Sequence, residues 1–183
     1  MNELLLRRRA MMGANRPTTT LTFSIPADTE KRVKILSRGA NGWKTKYVDW
    51  GDGTCDTVPA YANLQHTYAP ASTAREIVVK IVGLLSYLEC TNQGITSLYV
   101  SQQTELSDLR CNDNQLSSLD VSNNSALVSL YCYNNQLSTL DVSNSPKLST
   151  LWCYSNKVFT EKIGGIDGFT RAIKQYQLWK STG

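Results

Sequence analysis

Histidine is almost missing from this chain: its 183 residues include one, His66. That scarcity argues against acid–base relays and Cys/His nucleophiles, and no second imidazole is present to share a metal. His66 has no evident acidic partner in the sequence and reads as a structural hydrogen-bonding residue. No stretch approaches the roughly 18 consecutive apolar residues of a membrane span. Five cysteines are too few for a disulfide-dense scaffold. A nucleophile–base pair, a phosphate-cradling glycine loop and a pair of acids destined for one cleft are all lacking, so no enzymatic function, cofactor or metal is expected. The opening "MNELLLRRRAMMGA" is no secretory signal, because its leucines precede its arginines and no longer apolar run follows. Either the protein is not exported by that route, or a leader precedes this sequence.

Charge of one sign is also in short supply. The formal net charge is +4, spread as +5 over residues 1–83, −3 over 84–163 and +2 over 164–183. An imbalance this mild sets solubility and weak steering, and predicts no nucleic-acid partner. Hydrophobic residues make up 41% of the chain, enough for a packed core.

What the sequence does have is repetition. Cys90, Cys111, Cys132 and Cys153 fall at intervals of 21 residues, and the surrounding text recurs with them. The units are "LSYLECTNQGITSLYVSQQTE" (85–105), "LSDLRCNDNQLSSLDVSNNSA" (106–126) and "LVSLYCYNNQLSTLDVSNSPK" (127–147). A fourth, "LSTLWCYSNKVFTEKIGG" (148–165), fades after Val158, and Glu161 stands where its second leucine belongs. A fixed period over three full copies predicts a solenoid, since one unit cannot bury its apolar face alone and stacked units can. Apolar residues recur at unit positions 1, 4, 6, 11, 14 and 16. The alternation in "YLEC", "DLRC", "SLYC" and "TLWC" marks a short strand, stacked about 4.8 Å from its neighbours. Asn114, Asn135 and Asn156, with Gln93 in the first unit, place an amide where it can bond backbone at a turn.

The pattern L-x-x-L-x-C-x-x-N-x-L resembles the leucine-rich repeat, with cysteine as the small apolar filler. The "LDVSNN" continuation is similar to short repeats found in surface proteins of gut bacteria. A zinc site of four thiolates is excluded by distance, because three strand steps separate the outer sulfurs by roughly 14 Å. Side-by-side Cβ vectors resist disulfide formation, so the file is expected as buried free thiols.

Residues 17–83 read as a small all-β sandwich, with strands expected at 18–25, 31–36, 45–50 and 76–82. The "VDWGDG" turn (48–53) followed by "HTY" (66–68) resembles the PKD-like β-sandwich domain. That resemblance implies that Trp50 and Tyr68 are core residues and that Asp49 and Asp52 hold the turn. The alternative, a calcium loop built on Asp49, Asp52 and Asp56, lacks the D-x-[DN]-x-[DN]-G spacing.

The fold expected is mainly β: a docking arm (1–16), the sandwich (17–83), the repeats (84–163) and a C-terminal cap (164–183). "DGFTRAIKQYQLW" (167–179) reads as a capping helix, with Asp167 as N-cap and Phe169, Ile173 and Tyr176 on one face. The arm offers Leu4 and Leu5 as an apolar contact and Arg7, Arg8 and Arg9 as charge. It is either loosely ordered or a docking peptide for a larger assembly. Its "ELLLRRRAMM" resembles the starts of phage and prophage structural proteins from gut bacteria.

Residues flanking the strand leucines should point outward. These positions hold Tyr87, Glu89 and Thr91; Asp108, Arg110 and Asn112; Ser129, Tyr131 and Tyr133; Thr150, Trp152 and Tyr154. Exposed aromatic groups of that size usually mark binding, unless the cap folds over them. The candidate ligand-binding residues are therefore Tyr87, Glu89, Arg110, Tyr131, Tyr133, Trp152 and Tyr154. The ligand expected is a protein or a glycan, met at a cell surface or outside the cell. The alternative is a structural component of a virion or appendage, docked by its arm.

Overall fold

The computed structural model describes residues 16–39, 45–59, 61–157 and 163–164. The docking arm up to residue 15 and the capping helix expected at 167–179 lie outside them. The chain is mainly β. Its strands are β1 (Thr18–Ile25), β2 (Lys31–Gly39), β3 (Thr45–Asp49), β4 (Cys55–Pro59), β5 (Tyr61–Tyr68), β6 (Arg75–Val82), β7 (Leu85–Glu89), β8 (Ile95–Tyr99), β9 (Asp108–Arg110), β10 (Ser129–Tyr131), β11 (Leu140–Asp141), β12 (Thr150–Trp152) and β13 (Ile163–Gly164). Among the described residues no helix is long and apolar enough to cross a membrane.

Two sheets face each other across the core, one ordered β4-β3-β6-β1-β8 and the other β12-β10-β9-β7-β2-β5. Period-2 alternation decides which faces meet. Leu21, Phe23 and Ile25 of β1 and Ile77, Val79 and Ile81 of β6 turn inward against Val33 and Ile35 of β2 and Leu64 of β5. Trp50 and Tyr68 are both 1% exposed. The Tyr68 hydroxyl donates to the Trp50 carbonyl at 2.7 Å, so it is satisfied where it is buried.

The turn after β3 is held by its own carboxylates. Asp49 Oδ1 accepts from the Gly51 amide and Asp52 Oδ1 from the Thr54 amide, each at 3.0 Å. Gly51 adopts φ +81°, and a Cβ there would meet the Val78 carbonyl oxygen at 2.5 Å, so only glycine fits. His66, which the sequence left without an acidic partner, has one. Its Nε2 lies 2.7 Å from Asp52 Oδ2, and its ring stacks on Trp50 with centroids 4.8 Å apart. The contact is tertiary, between β5 and the β3–β4 turn. Burial raises the Asp52 carboxyl's pKa, but hydrogen bonds from Thr54 and His66 outweigh that and leave it below the usual carboxylate value.

The first repeat does not begin a separate body. β7 pairs antiparallel with β2, Leu36 opposite Glu89 and Arg38 opposite Tyr87. β8 pairs antiparallel with β1. Both sheets therefore run from the sandwich into the repeats, and a single apolar core fills the space between them. Two glutamines join the halves. Gln93 Oε1 accepts from the Lys34 amide of β2 at 2.9 Å. Gln103 accepts from the Leu85 amide at 2.8 Å and donates to the Gly83 carbonyl at 3.1 Å.

Beyond this junction the chain coils with its 21-residue period. β7, β9, β10 and β12 are parallel and in register, with Leu88, Leu109, Leu130 and Leu151 side by side. The six repeating apolar positions of the first three units are buried. Cys90, Cys111, Cys132 and Cys153 are buried free thiols, and burial pushes the Cys111 pKa up to about 12. Asn135 shows why an amide follows each cysteine. Its Nδ2 donates to the Cys111 and Cys132 carbonyls at 3.0 and 3.1 Å, while Oδ1 accepts from the Leu116 amide at 3.0 Å. An aliphatic side chain there would leave those buried groups unpaired. Asn114 and Asn156 make the equivalent bonds.

Two features escaped the sequence pattern. A second polar column, Gln103, Asn124 and Ser145, is buried at unit position 19, and Asn124 donates to the Val100 and Gln103 carbonyls. In the fourth unit the backbone of Ile163 pairs with Leu140, two residues later than the period predicts.

Candidate functional site

The short strands of the repeat carry one side chain inward between two outward ones. β9, β10 and β12 each present such a triplet, Asp108-Leu109-Arg110, Ser129-Leu130-Tyr131 and Thr150-Leu151-Trp152. Parallel registration then aligns the outward residues into rows. One row reads Glu89, Arg110, Tyr131, Trp152, and another reads Tyr87, Asp108, Ser129, Thr150. All the sequence-predicted ligand-binding residues thus lie on one face of one sheet or at its margin.

Their contacts form a chain across four rungs. Arg110 sits with its guanidinium carbon 5.6 Å from the Tyr87 ring centre and 5.0 Å from that of Tyr131. Asp108 Oδ1 accepts from Arg110 Nε at 3.2 Å. That hydrogen bond leads the causes that raise the guanidinium pKa. The Tyr87 hydroxyl donates to Glu89 Oε2. Burial, reinforced by this bond, raises the Tyr87 pKa well above its ordinary value and keeps the phenol a donor.

Past Arg110 the face becomes aromatic. Tyr131 and Trp152 meet edge to face at 5.3 Å. Tyr133 and Tyr154 stack nearly parallel, with centroids 4.7 Å apart and an interplanar angle of 8°. Trp152 lies 6.2 Å from Tyr133 and 6.4 Å from Tyr154, which closes the cluster. Contacts of this geometry contribute about 0.5–1.5 kcal/mol each beyond area burial, so the rings hold one another in place. Tyr154 remains 44% exposed.

One residue of the outward set behaves differently. Asn112, expected to point outward, is 5% exposed. Its Oδ1 accepts from Thr91 Oγ1 at 3.1 Å and its Nδ2 donates to Asp113 Oδ2 at 2.7 Å. The strand has already ended at Arg110, so alternation no longer governs position 7. The next residue of each unit, Asn92, Asp113, Asn134 and Ser155, takes a positive φ of 51–57°. That conformation favours asparagine and aspartate, which explains the residue type in the first three units.

The face also reaches further than the repeats. Leu36 and Arg38 of β2 lie opposite Glu89 and Tyr87, and paired residues point to the same side. Arg32 and Lys34 share that parity and are exposed, while Val33, Ile35 and Ser37 between them are buried. The signal was present as the alternation in "RVKILSR", but nothing local shows that this strand adjoins the first repeat.

Among the described residues no group of three or more His, Cys, Asp or Glu is placed to hold a metal ion. Asp120 and Asp141 accept from the Ser122 and Ser143 amides two residues on, each at 2.9 Å. These are turn bonds repeated once per coil. What the face offers is rigid aromatic area, a fixed guanidinium and hydroxyl donors, which together suit non-covalent recognition.

No family model and no curated protein matches the chain. Part of it is similar to a solved structure, the functional domain of InlJ from Listeria monocytogenes, which includes a cysteine ladder. Identity is 38%, over 39% of this chain and 16% of that one, with a TM-score of 0.38.

Proposed function

We propose that this chain is a non-enzymatic binding and adhesion module. A PKD-like sandwich leads into a short leucine-rich-repeat solenoid, and the outward strand face engages a protein or glycan at a cell surface or on a virion. One observation carries the reading: four large aromatic rings, Tyr131, Tyr133, Trp152 and Tyr154, gather in mutual contact on that face. Repeat architecture does not require them. The same unit positions hold Glu89 and Thr91 in the first rung and Arg110 and Asn112 in the second. Rings added where the fold accepts charge or a hydroxyl have another use, and rigid amphipathic anchors are what recognition surfaces employ.

The test screens the full chain against glycan and protein arrays beside Trp152→Ala/Tyr154→Ala. Ligands of the parent should be lost by the variant while its melting temperature stays close to the parent's. A variant that keeps every ligand would show that the aromatic cluster is not the binding surface.

A further inference from the structure

The binding face has two chemically distinct ends. At the repeat end stand the four rings. At the sandwich end stand Arg32, Lys34 and Arg38 of β2, all exposed and on the same side of the sheet as Tyr87 and Glu89. Arg110 lies between, held by Asp108 and flanked by Tyr87 and Tyr131. From β2 through β7, β9 and β10 to β12 is four strand steps, on the order of 19 Å. The positive half of the chain thus places three of its cations on the surface that the negative half furnishes with rings.

We infer that this surface takes an extended glycan bearing carboxylates, of the uronic-acid class. The inference rests on the binding reading above and adds β2 to the site. Sugar rings pack on Trp152, Tyr154 and their neighbours, and carboxylates meet the cations of β2 and Arg110. The aromatic rings share the face with Ser129, Thr150 and Thr91 rather than with aliphatic side chains. Leu36 is the exception, and it is only partly exposed. A pyranose, with C–H groups on its faces and hydroxyls around its rim, matches amphipathic rings with polar neighbours. A peptide that adds a strand to a sheet needs a free edge instead. β2, β7, β9 and β10 are each paired on both sides, so the strands between the cations and the rings offer no edge to extend. On this face the cations Arg32, Lys34, Arg38 and Arg110 outnumber the carboxylates Glu89 and Asp108, so charge complementarity selects an acidic over a neutral glycan. Arginine presents a fork that matches a carboxylate, and Arg32 uses one of its donors on Gln65, which orients the group at the surface.

The probe is oligogalacturonide long enough to span the face, titrated calorimetrically into the full chain. It is compared with the same oligomer methyl-esterified and with a poly-glutamate peptide. The acidic oligomer should bind about tenfold or more tightly than its ester, the scale of a lost charge-assisted contact. Its affinity should fall with added salt, and the ester's should not. Arg32→Gln/Lys34→Gln/Arg38→Gln should bring the affinity for the acid down to that for the ester. Trp152→Ala/Tyr154→Ala should weaken both. Should the triple variant not fold, the salt dependence of the parent alone decides the point. Equal affinity for acid and ester overturns the carboxylate assignment and leaves the aromatic binding surface standing. Poly-glutamate bound as tightly as the acidic oligomer overturns the glycan in favour of an acidic peptide. If no oligomer binds, this inference fails by itself, and the array comparison still decides the broader one.

Discussion

Asp52 shows how much one exposed carboxylate can organise. One oxygen ties the turn through the amide and hydroxyl of Thr54, and the other reaches across to His66, which stacks on the buried Trp50. These bonds outweigh the burial that would raise its pKa and leave it depressed. A depressed carboxylate contributes stability that is present above its unfolded value, about 3.9, and lost as pH falls through the lower folded value. Asp52→Ala should therefore be less stable than the parent at neutral pH, on the order of 1 kcal/mol for each net hydrogen bond removed. The gap should narrow below about pH 4 as the parent's own carboxylate takes up its proton. Denaturant unfolding of both proteins across the acid range measures it, and a gap independent of pH would mean that the ionised group does not hold the turn. His66 remained without a partner in the sequence because its contact spans 14 residues and depends on how β5 lies against a turn. Local pattern carries no information on that.

At the scale of the element, the rung separates what folds the coil from what the coil displays. Leu130 is fully buried between Leu109 and Leu151, whereas Tyr133 stands among rings at the surface. Leu130→Ala should cost about 2–5 kcal/mol, as buried leucines do. Tyr133→Ala should cost nearer the 0.5–1.5 kcal/mol of an aromatic pair, yet weaken ligand binding. Chemical denaturation of the two variants checks the order, and equal losses would contradict the register. The rung was legible because burial recurs at fixed unit positions, and selection for packing leaves the same residue type there each time. Asn112 was not, since the strand ends two residues before it and period-2 reasoning ran past the end. Gln93, grouped with the asparagines, bonds backbone as they do, but its extra methylene lets the amide reach β2 instead of another coil.

For the whole molecule, the change of sequence texture near residue 83 marks a change of topology rather than a seam. Sequence reading divided the chain there because the 21-residue period starts there. Pairing of Leu36 with Glu89, or of Leu21 with Leu98, joins segments 53 and 77 residues apart and leaves no trace in either strand alone. The consequence is energetic. A solenoid needs its open end covered, and here β1 and β2 cover it with backbone hydrogen bonds and a shared core rather than a polar cap. The sandwich equally relies on β7 and β8, which shield the inner edges of β2 and β1. Neither half keeps its core dry without the other, so the described residues should unfold as one cooperative unit. Calorimetry should give a single transition with matching calorimetric and van't Hoff enthalpies. Native-state hydrogen exchange should find the amides of β1, β2, β7 and β9 opening with one common free energy. Two separated transitions would mean that the strand pairs across residue 83 contribute little, and the continuous face from β2 to β12 would then lose its rigid support.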